Sequence, residues 1–187
     1  LQWKILFDDM WRVLKPNGII CIYASIPFTY ELLRYQKPKY HYSWKKTNKT
    51  GFLTAKYQPL RQMEEIFIYY KKRGTYNPQM IGDKYHAKRN VKIGSNENNY
   101  WNVEHKTKDI TNKGHTGRYP TTFKDWDIRR DKTGITRTDE QIDYFIKTYS
   151  NEGDTILDMT CCCNYVGDRA TALNRNYIGV DIDTSFI

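Results

Sequence analysis

With 187 residues, 30 Lys and Arg against 21 Asp and Glu, a net charge of +9 and a pI near 9.3, the chain is long enough for one domain with a real core and an inserted lobe, and its charge favours a polyanionic partner. Aromatic residues make up 15% of it, enough surface for bases to stack on. Three of the four cysteines are contiguous and Cys21 lies in an apolar run, which leaves no readable disulfide framework and favours a reducing compartment; no apolar run approaches the length of a membrane span.

Residues 1–15 carry Trp3, Leu6, Phe7, Met10, Trp11 and Leu14 at helical spacing, which predicts an amphipathic helix. Leu1 is not an initiator residue, so the chain reads as a fragment without a signal peptide. Pro16-Asn17-Gly18 stops the helix, and Ile19-Ile20-Cys21-Ile22-Tyr23-Ala24 is short and continuously apolar, as a strand buried on both faces would be. Ser25-Ile26-Pro27-Phe28 turns the chain into a second helix over 29–35. This rhythm repeats at the carboxyl end, so both ends are expected in one α/β sheet.

Past Pro38 the character changes. Tyr40-His41-Tyr42-Ser43-Trp44 alternates as a strand, Lys45-Lys46-Thr47-Asn48-Lys49-Thr50-Gly51 reads as a basic loop, and Glu65-Ile66-Phe67-Ile68-Tyr69-Tyr70 as another strand. Two aromatic strands around a Lys/Asn/Thr loop suit phosphate contacts and base stacking; they equally suit an antiparallel sheet extension with a solvated loop. Residues 74–130 keep no period and intersperse Tyr85, Tyr100, Trp101, Tyr119 and Trp126 among Lys, Arg, Asn, Gly and Thr, which reads as an irregular basic lobe. Helical spacing returns over 138–149 through Ile142, Phe145 and Ile146, with Asp139 and Glu140 at the end that suits acids.

Asp154-Thr155-Ile156-Leu157-Asp158 then begins a strand, turn, helix, strand, acid unit that ends at Asn176-Tyr177-Ile178-Gly179-Val180-Asp181. Two such strands pair in parallel, a ligand lies beyond their carboxyl ends, and Asp181 can accept hydrogen bonds from a ribose, so an adenosine-containing cofactor is the natural occupant. The same unit also serves as plain sheet scaffolding, with Asp158 and Asp181 capping strand ends. Cys162 and Asn164 stand where such a turn normally has glycines. Asn tolerates the left-handed region better than most residues and Cys does not, so either a distorted loop or weak or absent cofactor binding is expected. Adjacent cysteines project to opposite faces of an extended chain, so no metal site is expected from Cys161, Cys162 and Cys163.

The series Arg12-Val13-Leu14-Lys15-Pro16-Asn17-Gly18, Ser25-Ile26-Pro27-Phe28, Trp44-Lys45-Lys46-Thr47, Gly51-Phe52-Leu53, Pro59-Leu60-Arg61, Tyr76-Asn77-Pro78-Gln79, Arg118-Tyr119-Pro120-Thr121 and Asn174-Arg175-Asn176-Tyr177-Ile178-Gly179-Val180-Asp181 resembles the β-class of S-adenosylmethionine-dependent DNA amino-methyltransferases, in that family's order. The resemblance implies an α/β fold: a Rossmann-like methyltransferase sheet, mostly parallel with an antiparallel strand, helices on both faces, and the irregular basic lobe. It divides the chain into a target half at 1–73, a lobe for target recognition at 74–130 and a cofactor half at 131–187. It implies methyl transfer to adenine N6, less often cytosine N4, on a base flipped out of DNA.

That family's catalytic loop, Asp/Asn/Ser-Pro-Pro-aromatic, precedes the first helix, and no two prolines are adjacent here. Its Asp-Pro-Phe-x-Gly-x-Gly turn is Asp158-Met159-Thr160-Cys161-Cys162-Cys163-Asn164, its His-Pro-Thr-Gln-Lys-Pro segment is Thr133-Gly134-Ile135-Thr136-Arg137-Thr138, and a frequent His is Met63. Losses gather at the chemical and cofactor sites while scaffold residues persist, the pattern of a non-catalytic homologue.

By resemblance S-adenosylmethionine is the cofactor, with Asp158 ordering the turn, Thr160, Cys162 and Asn164 lining it, Asp181 on the ribose and Arg137 near the carboxylate. Lys45, Lys46, Lys49, Lys56 and Arg61 become candidates for DNA phosphates, or solvated side chains, and Phe28 for a wall of the target-base pocket. No residue of the chain is assigned to catalysis and none to metal. Expected partners are DNA and either a second copy or an active methyltransferase chain, with no membrane; the expected location is cytoplasmic, in a bacterial or viral setting, or nuclear, and not secreted. The competing reading is a catalytically silent subunit that binds nucleic acid, with RNA left open as the polymer.

Overall fold

The computed structural model describes residues 3–87, 90–91, 110–111, 114–131 and 134–183. In chain order these form α1 (Trp3–Val13), β1 (Ile20–Ala24), α2 (Phe28–Tyr35), β2 (Tyr40–Thr50), a 3-10 turn (Phe52–Thr54) and β3 (Arg61–Tyr69). There follow β4 (Ile81–His86), β5 (Asn90–Val91), β6 (Ile110–Thr111), β7 (His115–Arg118), β8 (Phe123–Trp126), β9 (Ile128–Asp131) and β10 (Gly134–Arg137). The carboxyl end carries α3 (Asp139–Tyr149), β11 (Thr155–Asp158), α4 (Tyr165–Ala172) and β12 (Asn176–Gly179). Two units result, residues 1–78 with 121–187, and residues 79–120.

The first unit holds a four-stranded sheet in the order β1-β3-β2-β8. The crossover helix α2 lets β1 and β2 run the same way, whereas the short connection from β2 to β3 reverses the chain. Hence β3 is antiparallel to both neighbours, and β8 adds parallel to β2. The expected mostly parallel arrangement describes the β11–β12 pair, which is parallel; the larger sheet is mixed. The basic segment 45–50 is not a loop but the continuation of β2, and the loop lies at 51–60. Pairing with β3 at Lys45 and Thr50, and with β8 at Lys45 and Lys46, overrides the polar composition there.

β3 is the strand around which this sheet packs. Phe67 and Tyr69 face Phe7 and Met10 of α1 and Leu32 of α2, while Ile66 and Ile68 face Tyr42, Trp44, Trp126 and Phe145 of α3. Period-two alternation sends these four buried residues to opposite faces, so helices cover the sheet on both sides. α3 then turns its other flank, Ile142 and Ile146, to Ala170 of α4 and to Ile156 and Tyr177 of the β11–β12 pair. Tyr149, at its last position, ties it to β2: its hydroxyl shares hydrogen bonds with Tyr40 (2.9 Å) and Tyr42 (2.7 Å).

α3 begins where the sequence asks. The Thr138 hydroxyl accepts from the Gln141 backbone N–H at 3.4 Å, and Asp139 and Glu140 occupy the first turn. Arg169 of α4 grips Asp143 with two 2.7 Å hydrogen bonds, joining the helices. Burial alone would raise the Asp143 carboxyl, but the bonds from Arg169 and Lys147 leave it below its ordinary value.

Among the described residues the second unit, read from composition as irregular, holds two strand pairs. β4 pairs antiparallel with β7, and β5 with β6. It is narrower than the 74–130 lobe read from composition, because β8 and β9 carry Phe123 to Asp131 into the first unit. Tyr100 and Trp101 lie outside the described residues.

Candidate functional site

The turn after β11 is built mainly from backbone. β11 and β12 end level, Asp158 opposite Gly179, and the chain leaves β11 through Thr160, whose N–H donates to Asp158 Oδ1 at 3.1 Å. Cys161 N–H donates to the Val180 carbonyl (3.1 Å) and Asn164 N–H to the Cys161 carbonyl (2.9 Å). Cys162 has φ +46° and Asn164 φ +60°, the left-handed conformations that glycines would adopt without strain. The turn therefore keeps a left-handed path without glycine, with the strain carried by Cys162.

Asp181 closes the turn from the opposite strand. Its Oδ2 accepts from Cys162 N–H at 2.7 Å and its Oδ1 from Asp183 N–H at 3.0 Å. Those donors, Asp183 first and Cys162 second, hold its carboxyl below the ordinary value. A carboxylate offers about four acceptor positions. With a lesser bond from the Ile182 backbone N–H, these contacts leave the carboxylate capacity for a further donor.

Three residues that shape this turn were not singled out by sequence. Tyr177 lies beneath it, and a Cβ at Gly167 would stand 2.6 Å from Tyr177 Cε1, while one at Gly179 would stand 2.9 Å from the same atom and 3.0 Å from Cys161 Sγ. Only glycine fits at either position. The Cys161 thiol is accordingly buried against the sheet and does not fill the turn. Gly167 and Gly179 were visible as glycines in a helix and at a strand end; the ring that demands them was not.

The remaining candidates separate. Arg137, at the end of β10, lays its guanidinium over the Tyr23 ring of β1, 3.7 Å from the centroid. Phe28 opens α2 beyond the carboxyl end of β1 and packs partly on the core around Leu32. Lys45, Lys46, Lys49, Lys56 and Arg61 all fall on the β2–β3 hairpin. Lys46 is half-buried on Glu64 at 2.7 Å, and Lys45 pairs with Asp125 at 2.9 Å. Lys49, Lys56 and Arg61 are exposed and make no ion pair among the described residues. Cys161, Cys162 and Cys163 sit together in sequence, yet no group of three His, Cys, Asp or Glu able to hold a metal occurs among the described residues.

This architecture has close counterparts. The crystal structure of M1.HpyAVI matches 98% of this chain and 77% of its own length with a TM-score of 0.60 at 15% identity. Its SAM complex matches 100% and 79%, with a TM-score of 0.60 at 14% identity. PvuII DNA methyltransferase, cytosine-N4-specific, matches 99% and 68%, with a TM-score of 0.62 at 11% identity. At such identities the likeness is one of fold, and the fold is the α/β fold of these methyltransferases.

Sequence carries the identification further. Type II methyltransferase M.HpaI of Haemophilus parainfluenzae is 27% identical over an alignment of 187 positions that covers 96% of this chain and 54% of that protein. The chain thus spans about half the length of the curated relative it matches. The model of the N6/N4 DNA methylase family matches residues 4–187, and the chain belongs to this family.

Proposed function

We propose that the chain carries the cofactor-binding and target-facing parts of an S-adenosylmethionine-dependent DNA methyltransferase acting on adenine N6. The observation that supports this most directly is the turn at 160–164. Its left-handed backbone survives without glycine, and Asp181, just past β12, is held by backbone donors with acceptor capacity to spare.

The residues fit the cofactor. Asp181 would accept the ribose hydroxyls, the 160–164 backbone would follow the nucleoside, and Arg137 would meet the carboxylate. Bound there, the cofactor supplies a methyl group on a sulfonium. Asp158 holds the turn through Thr160 N–H, and Tyr177 supports it from below. Phe28, past the end of β1, would wall the base pocket. Lys49, Lys56 and Arg61 would take phosphates; Lys46 is committed to Glu64. The exocyclic amine also needs acceptors such as the proline-paired loop provides, and these 187 residues contain no adjacent prolines. Those acceptors would come from outside these 187 residues. Such a protein works where DNA is, in a bacterial cytoplasm or a nucleus, and no helix among the described residues is long and apolar enough to cross a membrane.

Calorimetry with S-adenosylmethionine and its demethylated product tests the reading. Binding at micromolar to millimolar ligand is expected, and no heat at millimolar ligand would overturn it. That result would favour the silent nucleic-acid-binding subunit, which the missing proline pair and the cysteine turn already suit. Competing RNA against DNA in the same salt titration decides the polymer.

A further inference from the structure

β1 and β2 run in one direction, since each is antiparallel to β3, and Glu65 pairs with both Ala24 and Ser43. The last residue of β1 is therefore level with Ser43. β2 continues from there to Thr50, which pairs with Arg61, so the hairpin overshoots the carboxyl end of β1 by roughly 13 Å, the rise of the four residues of β3 from Glu65 to Arg61. Ligands of open α/β sheets lie beyond that end. The tip of the hairpin stands over the substrate side.

The tip is ordered yet presents apolar side chains outward. Gly51, at φ +98°, reverses the chain into the 3-10 turn. Thr54 then organises it: its N–H donates to the Gly51 carbonyl at 3.1 Å, its hydroxyl donates to the same oxygen at 3.1 Å, and Gln58 Nε2 donates to that hydroxyl at 2.8 Å. With the backbone fixed from within, Phe52, Leu53 and Tyr57 are 68%, 100% and 88% exposed. Nothing in the folding of the loop requires large apolar groups at these positions. No acid occurs between Glu31 and Glu64, while Lys49, Lys56 and Arg61 surround the knob.

We propose that Phe52 and Leu53 form a wedge that enters a DNA duplex at a base step, with Tyr57 stacking beside it and Lys49, Lys56 and Arg61 on the flanking phosphates. Apolar side chains inserted this way unstack the step and hold the duplex open. That opening is what extrusion of a target base requires. Two copies meeting knob to knob would bring cations against cations, whereas a polyanion complements them. The identity of the polymer rests on the function proposed above; the wedge itself is an independent claim about the hairpin.

The test compares the wild-type protein with F52A/L53A and K49A/K56A on a mixed-sequence duplex, reading affinity against salt and the permanganate reactivity of thymines. Wild-type protein is expected to bind at low salt and to make thymines reactive. F52A/L53A should keep its melting temperature and its heat of binding to S-adenosylmethionine, lose the permanganate signal and bind duplex roughly 10- to 100-fold more weakly. K49A/K56A should keep the signal at low salt and lower the slope of log K against log salt by about 0.9 for each phosphate no longer neutralised. Wild-type binding and reactivity in F52A/L53A would overturn the wedge, as would failure of the wild type to bind duplex. Sedimentation showing a dimer that F52A/L53A splits would overturn it too, assigning the knob to a second copy. Loss of S-adenosylmethionine binding with the duplex results intact would instead remove the methyl-donor reading and leave the wedge standing.

Discussion

The turn after β11 and the β2–β3 hairpin are built in different ways. At the turn the shape is held by backbone: N–H groups of Thr160, Cys161, Cys162 and Asn164 are each bonded to an acceptor within it, and the Asp181 carboxylate closes the circuit. At the hairpin the backbone is satisfied internally and the side chains are the surface. A site made of backbone can lose its customary residues and retain its shape, as Cys162 shows. A site made of side chains stays open to substitution without harm to the fold, but each change alters what it can bind.

The sharpest way to break this contrast is at Asp181. Asp181→Ala removes the acceptor of both Cys162 and Asp183 N–H, and S-adenosylmethionine binding by calorimetry should fall at least roughly tenfold, with duplex affinity unchanged. Because the donors depress its pKa, binding that depends on the charged form persists well into acid and is lost only as pH falls through that lowered value. Equal losses of cofactor and duplex binding would show that the two regions are not separable.

Arg169→Ala comes next. It leaves Asp143 without its bidentate partner, at about 1–2 kcal/mol in urea unfolding, for a pair partly in solvent. Asp143 has a lowered folded pKa, so its contribution is present above the unfolded carboxyl pKa and disappears as pH falls through the folded one. The gap between wild type and variant should therefore close in acid; a gap independent of pH would refute the assignment. Smallest is Cys162→Gly. Relief of a left-handed Cys, offset by the entropy of Gly, should stabilise by about 0.5 kcal/mol, measured by the same unfolding, and tighten cofactor binding.

Much of this is legible in the sequence. The helical spacing of Phe7 and Met10, the apolar run at Ile20, and the strand, turn, helix, strand, acid order ending at Asp181 all state their structure locally, through periodicity and turn chemistry. The demand for positive φ at 162 and 164 is readable because glycine is the usual occupant. What escapes reading is set by neighbours distant in sequence. Lys45 to Thr50 looks like a loop until β3 pairs with it, and Lys46 looks available until Glu64, eighteen positions on, takes its ammonium. Tyr177 reads as an ordinary strand aromatic; only the approach of α4 reveals why Gly167 must be bare.

α3 carries one further consequence. Phe145 anchors in the larger sheet while Ile142 and Ile146 anchor in the smaller, on a helix three turns long. Melting either sheet strips the helix of half its burial, so neither should outlive the other on heating. A nucleoside gripped at one end would then raise the temperature at which β1 and β3 part as well, by mass action alone.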